Sequence, residues 1–397
     1  METLTFLMTT TFYPPYHLGG DAVFVKYLAE ELVKQGHEVH VMSSIDPYLL
    51  KKRQGLKKSR HDSGVILHNL RSPFGIISPL SAYFLGQSYW YTQKFRDLAK
   101  ELKPDIVHHH NISLLGHPLL KKQGKYISIH TTHDFWLICP TYGLTTRKGE
   151  PCSRKQCSLC MISKRRIPQF WRYSSDFKNE VYNPHIIISP SEFFRNVLEK
   201  TVKRKIVHIP NFVPYPPTSK SDLEDSRFYL YAGRVDRGQG ISTLLNVFSS
   251  GNIPNKLVLV GTGNISDNIT KFIKRKNLQN KIVYLGWVGN EELHRLYKSA
   301  LATINPSEYP ANFPLVALES ISNGTPVIAS SKGGLPEIVE KIDKELIYNS
   351  TQQLKQTLTS FDRRNYPPEM VKSIYEKYYA PKAHLESYFR VIKTLKI

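Results

Sequence analysis

The feature that most constrains this chain is a rhythm, in which short β-branched runs alternate with helical stretches, stop at one proline-rich segment and then begin again. Two α/β halves follow from it. The first half opens with "TLTFLMTT", passes through "VFVKYLAEELVKQG", which Gly36 stops, and continues with "EVHVMSS". Further strands are expected at "GVILHNL", "DIVHHH", "YISIHTT", "HIIISPS" and "KIVHIPN". Apolar strands joined through helices run parallel, because each helix carries the chain back to the end of the sheet where it started. The segment "NFVPYPPTSKSDLEDS" (211–226) breaks the pattern with proline and polar residues and reads as a linker. A second series follows in "RFYLYAGRV", "ISTLLNVFSS", "KLVLVGTG", "KIVYLGWV", "EELHRLYKSA", "LATINPS", "TPVIASS" and "ELIYN". The expectation is an α/β chain of two Rossmann-like domains facing across a cleft, with ligands beyond the carboxyl ends of the strands. The expected domains are residues 1–212 and 227–377 with 213–226 as linker, and a terminal helix at about 378–397 rejoins the first domain. The run from about 369 is helical except at Pro381, which should kink or split it.

At 397 residues the chain exceeds one ordinary core, and its 41% hydrophobic content supports globular folding. Lys and Arg number 54 against 33 Asp and Glu, a formal charge of +21 that attracts phosphates, anionic lipid or nucleic acid. Nucleic acid is set aside as a partner, because no RNP-like aromatic strand, zinc-finger spacing or recognition-helix pattern accompanies the charge. The charge concentrates in "KKRQGLKKSR" (51–60) and "RKGEPCSRKQCSLCMISKRR" (147–166), read either as solvated loops or as contacts for an anionic membrane surface or a ligand. The start "METLTFLMTTTFYPP" lacks a basic n-region and a cleavage site, and no run of about 18 apolar residues appears. A cytoplasmic location is expected, with any membrane contact peripheral at the inner face.

The stretch "TINPSEYPANFPLVALESISNGTPVIAS" (303–330) reads as strand, loop, short helix, turn and strand, with Asn312, Phe313, Pro314 and Leu315 at the helix entrance. Proline at a first helical position leaves neighbouring N–H groups free for an anion. Glu319, further in, either faces a hydroxyl-bearing part of the ligand or is ordinary dipole chemistry. Gly19 and Gly20, between the first strand and first helix, either admit a phosphate to the backbone or make a plain turn. In "AGRVDRGQG", Arg234 follows a strand and its planar fork suits a diphosphate, with Arg237 and Gln239 in the same loop; a solvated loop is the alternative. "LVGTGN" (259–264) lacks the third glycine of the dinucleotide fingerprint and argues little for NAD. His108, His109 and His110 sit at a strand end, where alternate residues point to opposite faces and work against a metal site. His133, followed by Asp134, serves either chemistry or packing. Cys139, Cys152, Cys157 and Cys160 are spaced C-x12-C-x4-C-x2-C, and two readings stand, a structural zinc site or reduced thiols in a cytoplasmic loop.

Together these stretches resemble the GT-B glycosyltransferases of family 4, nucleotide-sugar-dependent enzymes that retain anomeric configuration. The resemblance rests on the order of "YPPYHLGGDAVFVKYLAEELVKQGHEVHVM", "KPDIVHHHN", "HTTHDFWLICP", "IIISPSEFFRNVL", "IPNFV", "YAGRV", "LVLVGTG", "YLGWV" and "FPLVALESISNGTPVIASSKGGLPEIV", and the Cys-bearing insertion after "HDFWLICP" also looks like that of many members. It implies that the second domain binds the sugar nucleotide and the first presents the acceptor. By similarity, Gly19 and Gly20 would touch the donor diphosphate through backbone, Arg234 would neutralise it, Glu319 would hold the ribose, and His133 would lie by the transferred sugar. No cofactor is required for that chemistry, and a catalytic metal is not expected, since Arg234 and helix N-terminal amides supply positive groups.

Two positions depart from the family pattern. Where members carry a Lys shortly after the Arg, this chain has Gln239, and Arg237 is the substitute considered. Members also pair glutamates as ExxxxxxxE, yet eight residues before Glu319 stands Ala311, and Glu308 is three residues too early to replace it. The functional expectation is a metal-independent retaining hexosyltransferase acting on a glycan or lipid-linked acceptor in polysaccharide or glycolipid biosynthesis. The alternative is a GT-B-like binding or scaffold subunit of weak or no activity.

Overall fold

The computed structural model describes residues 2–51, 63–146, 152, 156–217, 228–250 and 253–395. Of the basic stretch 51–60 only Lys51 falls among them, and residues 147–151 and 153–155 of the second stretch and 218–226 of the expected linker lie outside. The chain forms two compact units, one of Met1–Ile209 with Glu386–Ile397 and one of Pro210–Leu385.

In the first unit seven strands form one parallel sheet: β1 (Thr5–Thr9), β2 (Glu38–Ser44), β3 (Ile66–Leu70), β4 (Ile106–His109), β5 (Ile127–Thr131), β6 (Ile186–Ser189) and β7 (Val207–His208). Their order is β3-β2-β1-β4-β5-β6-β7. Neighbours on both sides of β1 are parallel to it, with Leu7 opposite His40 in β2 and opposite Val107 in β4. Helices cover both faces, so Phe6, Leu7 and Met8 are all fully buried. That double burial is why the strands read as continuous apolar runs and not as alternating ones.

The second unit repeats the plan with β8 (Phe228–Ala232), β9 (Lys256–Val260), β10 (Ile282–Gly286), β11 (Ala302–Asn305), β12 (Val327–Ser330) and β13 (Ile347–Tyr348) in the order β10-β9-β8-β11-β12-β13. The strand order therefore reverses between β8 and β11, as it does between β1 and β4 in the first unit. Each reversal opens a crevice at the carboxyl ends of two neighbouring parallel strands.

Pro381 splits the terminal helical run. One helix ends at Tyr378 and the next, Pro381–Lys393, begins on the proline, whose missing N–H costs nothing in a first turn. The unit boundary falls inside this last helix, after Leu385, where the sequence reading puts the return at about 378. Side-chain bonds explain the difference. His384 Nδ1 lies 2.7 Å from the Pro210 carbonyl in the second unit, whereas Tyr388 meets His108 Nδ1 at 2.9 Å and stacks on its ring in the first. The second unit likewise holds the start of the expected linker, since the Tyr375 hydroxyl donates to the Val213 carbonyl at 2.9 Å.

Candidate functional site

In the second unit the loops that follow β8 and β11 leave adjacent strands at the reversal. They touch through glycine. Gly238 and Gly240 have φ of +85° and +76°, and a Cβ on either would fall within 2 Å of the Tyr309 ring or the Pro306 carbonyl oxygen. The Glu308 N–H accordingly donates to the Gly238 carbonyl at 2.9 Å, and the Thr243 hydroxyl donates to Glu308 Oε1 at 3.1 Å. The Gly-rich loop of the sequence is thus a close backbone approach that only glycine allows.

Arg234 lies in this loop with 65% of its side chain exposed, but it is not alone. Its Nε donates to Asp236 Oδ2 at 2.9 Å and its Nη2 reaches the same oxygen. The other oxygen, Asp236 Oδ1, accepts the Asn264 N–H at 2.8 Å, which ties the loop after β8 to the loop after β9. Burial raises the Asp236 carboxyl, yet the Asn264 N–H and Arg234 outweigh it and hold the pKa below the ordinary value. Arg237 is exposed, and the Gln239 N–H closes a turn on the Asp236 carbonyl at 3.2 Å. Asp236 escaped the sequence reading. Its one signal is an acidic residue two places after the arginine.

Pro314 is extended (φ −72°, ψ 122°) and caps the helix Leu315–Ser322 from outside, one residue before the first helical position where the sequence reading puts it. A proline ring offers no side-chain acceptor, so no side chain caps this helix, and the Ala317 N–H turns back on the Pro314 carbonyl at 3.1 Å. Phe313 and Leu315 are buried at 6% and 8%, and the Phe313 ring packs 5.9 Å from Tyr379. Of these two residues only the backbone is available to a ligand. Asn312 is half-buried in the loop before them. Glu319 is half-buried one turn into the helix, and the Tyr297 hydroxyl donates to its Oε2 at 3.0 Å. Burial raises the Glu319 pKa, and the Tyr297 bond opposes the rise. Ala311 pairs its backbone with Gly333, and its carbonyl accepts the Gly334 N–H at 2.8 Å.

In the first unit Gly19 is the extended cap and Gly20 the first residue of the helix Gly20–Lys34. A Cβ on Gly19 would meet Asp21 Oδ1 at 2.8 Å, so the glycine makes room for a carboxylate of its own helix. Asp21 Oδ2 accepts from Asn111 Nδ2 at 2.9 Å, joining the first turn of that helix to the loop after β4 at the reversal. The histidine triple divides as alternation requires. The rings of His108 and His110 lie 4.0 Å apart, while His109 packs against Phe95 and bonds Thr9 Oγ1 at 2.8 Å.

His133, just beyond β5, meets His110 Nδ1 through its Nε2 at 3.0 Å and lies 5.5 Å from the Phe24 ring. Burial drops its pKa to about 4, with Asp21 pulling the other way, so at neutral pH the imidazole is uncharged. One proton then bridges the two rings, leaving His133 a neutral hydrogen-bonding group. Asp134 does a structural job, with Oδ1 accepting the Trp136 N–H at 2.7 Å to cap the turn Phe135–Leu137, and burial pushes it up to about 7. Asp21, Asn111 and Tyr297 were not legible as site residues, because each acts on a partner remote in sequence.

The cysteines share one neighbourhood. Burial, followed by the nearby Cys139, Cys152 and Cys160 thiols, raises the Cys157 pKa, while Arg172 opposes. Four thiols suit zinc chemically, yet among the described residues no three His, Cys, Asp or Glu side chains stand where they would hold a metal ion. Among the described residues no helix is long and apolar enough to cross a membrane.

Comparison with known proteins agrees with this architecture. Sucrose-phosphate synthase from Thermosynechococcus elongatus superposes with a TM-score of 0.73 at 19% identity, covering 99% of each chain. Anabaena HepE, solved with UDP, superposes with a TM-score of 0.66 at 13% identity over 99% of this chain and all of that one, 100%. A lipopolysaccharide 1,2-N-acetylglucosaminetransferase of Salmonella typhimurium is 31% identical over 176 residues, which are 38% of this chain and 46% of that protein. The family profile described as Glycosyltransferase Family 4 matches residues 18–215, and the one described as Glycosyl transferases group 1 matches residues 218–373. With both halves of the chain matched in order on this fold, the protein belongs to the GT-B glycosyltransferases of family 4.

Proposed function

We propose that the chain is a retaining glycosyltransferase that moves a hexose from a nucleotide-sugar donor to a glycan or lipid-linked acceptor, in building a cell-surface polysaccharide or glycolipid. The carrying observation is that Arg234 and the Glu319 helix stand on adjacent loops at the reversal of the second sheet. That is where a doubly wound sheet receives a nucleotide. Glu319, fixed by Tyr297, takes the ribose hydroxyls. Arg234 exchanges Asp236 for the donor diphosphate and, with the backbone of Asn312 to Leu315, stabilises the charge that grows on it as the glycosidic bond breaks. In the first unit, Gly19 and Gly20 offer backbone N–H groups to a donor phosphate, and neutral His133 hydrogen-bonds the transferred sugar. The acceptor hydroxyl replaces the diphosphate on the same face and its proton leaves with the diphosphate oxygen. No metal is needed for these roles. HepE's complex with UDP and the named activity of the Salmonella enzyme support donor class and pathway type.

A second reading, a binding subunit without turnover, draws on Gln239, Ala311 and the pairing of Arg234 with Asp236. Incubation with a panel of nucleotide sugars, scored for binding and for slow donor hydrolysis, separates the two. Turnover of any donor supports the transferase, and tight binding with no turnover of any of them supports the subunit. Zinc at the four cysteines and a peripheral cytoplasmic membrane location are separate proposals. Elemental analysis of purified protein tests the first and sedimentation with anionic vesicles over a salt series tests the second.

A further inference from the structure

Behind the turn Phe135–Leu137 the first unit holds a cavity of about 360 Å³ that the roles proposed above leave unused. Its size falls within the range of about 300–1,000 Å³ of small-molecule sites. Leu137, Ile138, Met161, Phe177, Val181 and Val202 make its walls apolar. The charged residues among the described lining are Arg172 and Lys178, both cationic, and no carboxylate belongs to that lining. Arg172 makes its hydrogen bonds to neutral groups, and the Asp134 carboxyl, which lies outside the lining, acts on it only through its field. The Arg172 Nε donates to Gln169 Oε1 and its Nη1 to the Trp136 carbonyl, each at 2.6 Å, and its guanidinium lies 4.6 Å over the Trp171 ring. Its pKa falls with burial to about 10, which leaves it charged at neutral pH.

The rim is apolar as well. Tyr173 and Tyr182 belong to the lining and are 54% and 47% exposed, and Leu159, Ile162 and Phe170 on the adjoining segments are exposed too. The far wall adjoins the candidate site, for Leu137 lines both this cavity and the small pocket of His110, His130 and His133. An apolar chamber with cations and no carboxylate fits a hydrocarbon chain that carries one anionic group. We propose that the cavity is an acceptor subsite that takes the hydrocarbon part of a lipid phosphate, with the phosphate held by Arg172 and Lys178. The role as an acceptor subsite rests on the transferase reading. It commits the acceptor to a lipid-linked one.

Calorimetric titration with dodecyl phosphate below its micellar concentration, beside dodecanol and inorganic phosphate, tests the site without donor or turnover. Dodecyl phosphate should bind at least tenfold more tightly than dodecanol, and inorganic phosphate should show no binding. Lys178→Glu should weaken dodecyl phosphate at least threefold. Ser158→Trp, which fills the chamber from its wall, should abolish binding while UDP affinity in the same sample stays unchanged. Equal binding of dodecanol, saturation by inorganic phosphate alone, or full affinity in both variants would overturn the proposal. If UDP and every sugar nucleotide fail to bind while dodecyl phosphate binds as expected, the transferase reading falls and the lipid-phosphate site stands.

Discussion

The Tyr297 hydroxyl donates to Glu319 Oε2 at 3.0 Å, so the carboxylate beside the second sheet's reversal is oriented by a residue of the neighbouring helix Asn290–Ser299. A ribose diol would add bonds to a carboxylate already fixed in place, which lowers the ordering cost of binding. Glu319→Ala should weaken donor binding by about 1.5–3 kcal/mol, and Tyr297→Phe by about 0.5–1.5 kcal/mol, because one neutral donor is lost and the carboxylate remains. Calorimetry with UDP reads both. Normal affinity in Glu319→Ala would remove the ribose assignment. Since burial raises the Glu319 pKa, donor affinity should also start to fall on acidification at a higher pH than an ordinary glutamate would give.

Arg234 is expected to swap partners, from Asp236 to the diphosphate. Arg234→Ala should cost about ten- to a hundredfold in donor affinity, the worth of a charge-assisted bond. Asp236→Asn weakens the internal competitor but keeps an acceptor for the Asn264 N–H, so affinity should hold or rise; a loss as large as that of Arg234→Ala would mean that the pair acts as one structural unit. Arg237→Ala reports whether this exposed cation takes over from the lysine that Gln239 replaces.

His133→Ala should depress kcat by far more than donor affinity, since the residue is assigned to the sugar. Because burial holds its pKa near 4, the pH profile of kcat should show no inflection near 6.5 from this group. An inflection there that vanishes in His133→Ala would mean an imidazolium works in the enzyme. Transfer should also survive a chelator, and strict dependence on an added divalent ion would contradict the metal-free mechanism.

Ala311→Glu restores the carboxylate that the family pattern carries eight residues before Glu319. The backbone of Ala311 is anchored to Gly333 and Gly334, so a longer side chain can be tried without loosening the loop. Turnover should rise if the site keeps the family geometry. Lower turnover with donor affinity intact would show that this site holds its sugar by other contacts.

Acid should destabilise the first unit. Burial lowers His109 and His130 to about 3 and His133 to about 4, so below the ordinary value of 6.5 the unfolded chain binds protons that the folded one refuses. Stability then rises with pH across that window, by about 1.4 kcal/mol per pH unit for each fully titrating histidine, and is level above it. Urea midpoints at pH 7, 6 and 5 check the sign. Equal midpoints at pH 7 and 5 would mean that the native rings are protonated.

The strands and their parallel course were legible in the sequence because burial on both faces leaves a local mark. A run such as Phe6, Leu7 and Met8, bounded by polar residues and too short for a helix, fits the middle of a covered sheet. The glycine-rich loop was visible in the same way, though what requires Gly238 and Gly240, a Cβ that would strike Tyr309 or the Pro306 carbonyl, is a tertiary contact. Only the tertiary structure decided which charges meet. The Tyr297–Glu319 bond joins residues on two helices, the Asp236–Asn264 bond joins two loops, and the His110–His133 contact joins the ends of two strands. It also sent Phe313 and Leu315 into the core and moved the unit boundary into a continuous helix at Leu385. Periodicity and turn chemistry act between near neighbours along the chain, and so the sequence determines the elements; hydrogen-bond partners and burial depend on packing between distant segments, which no local pattern encodes.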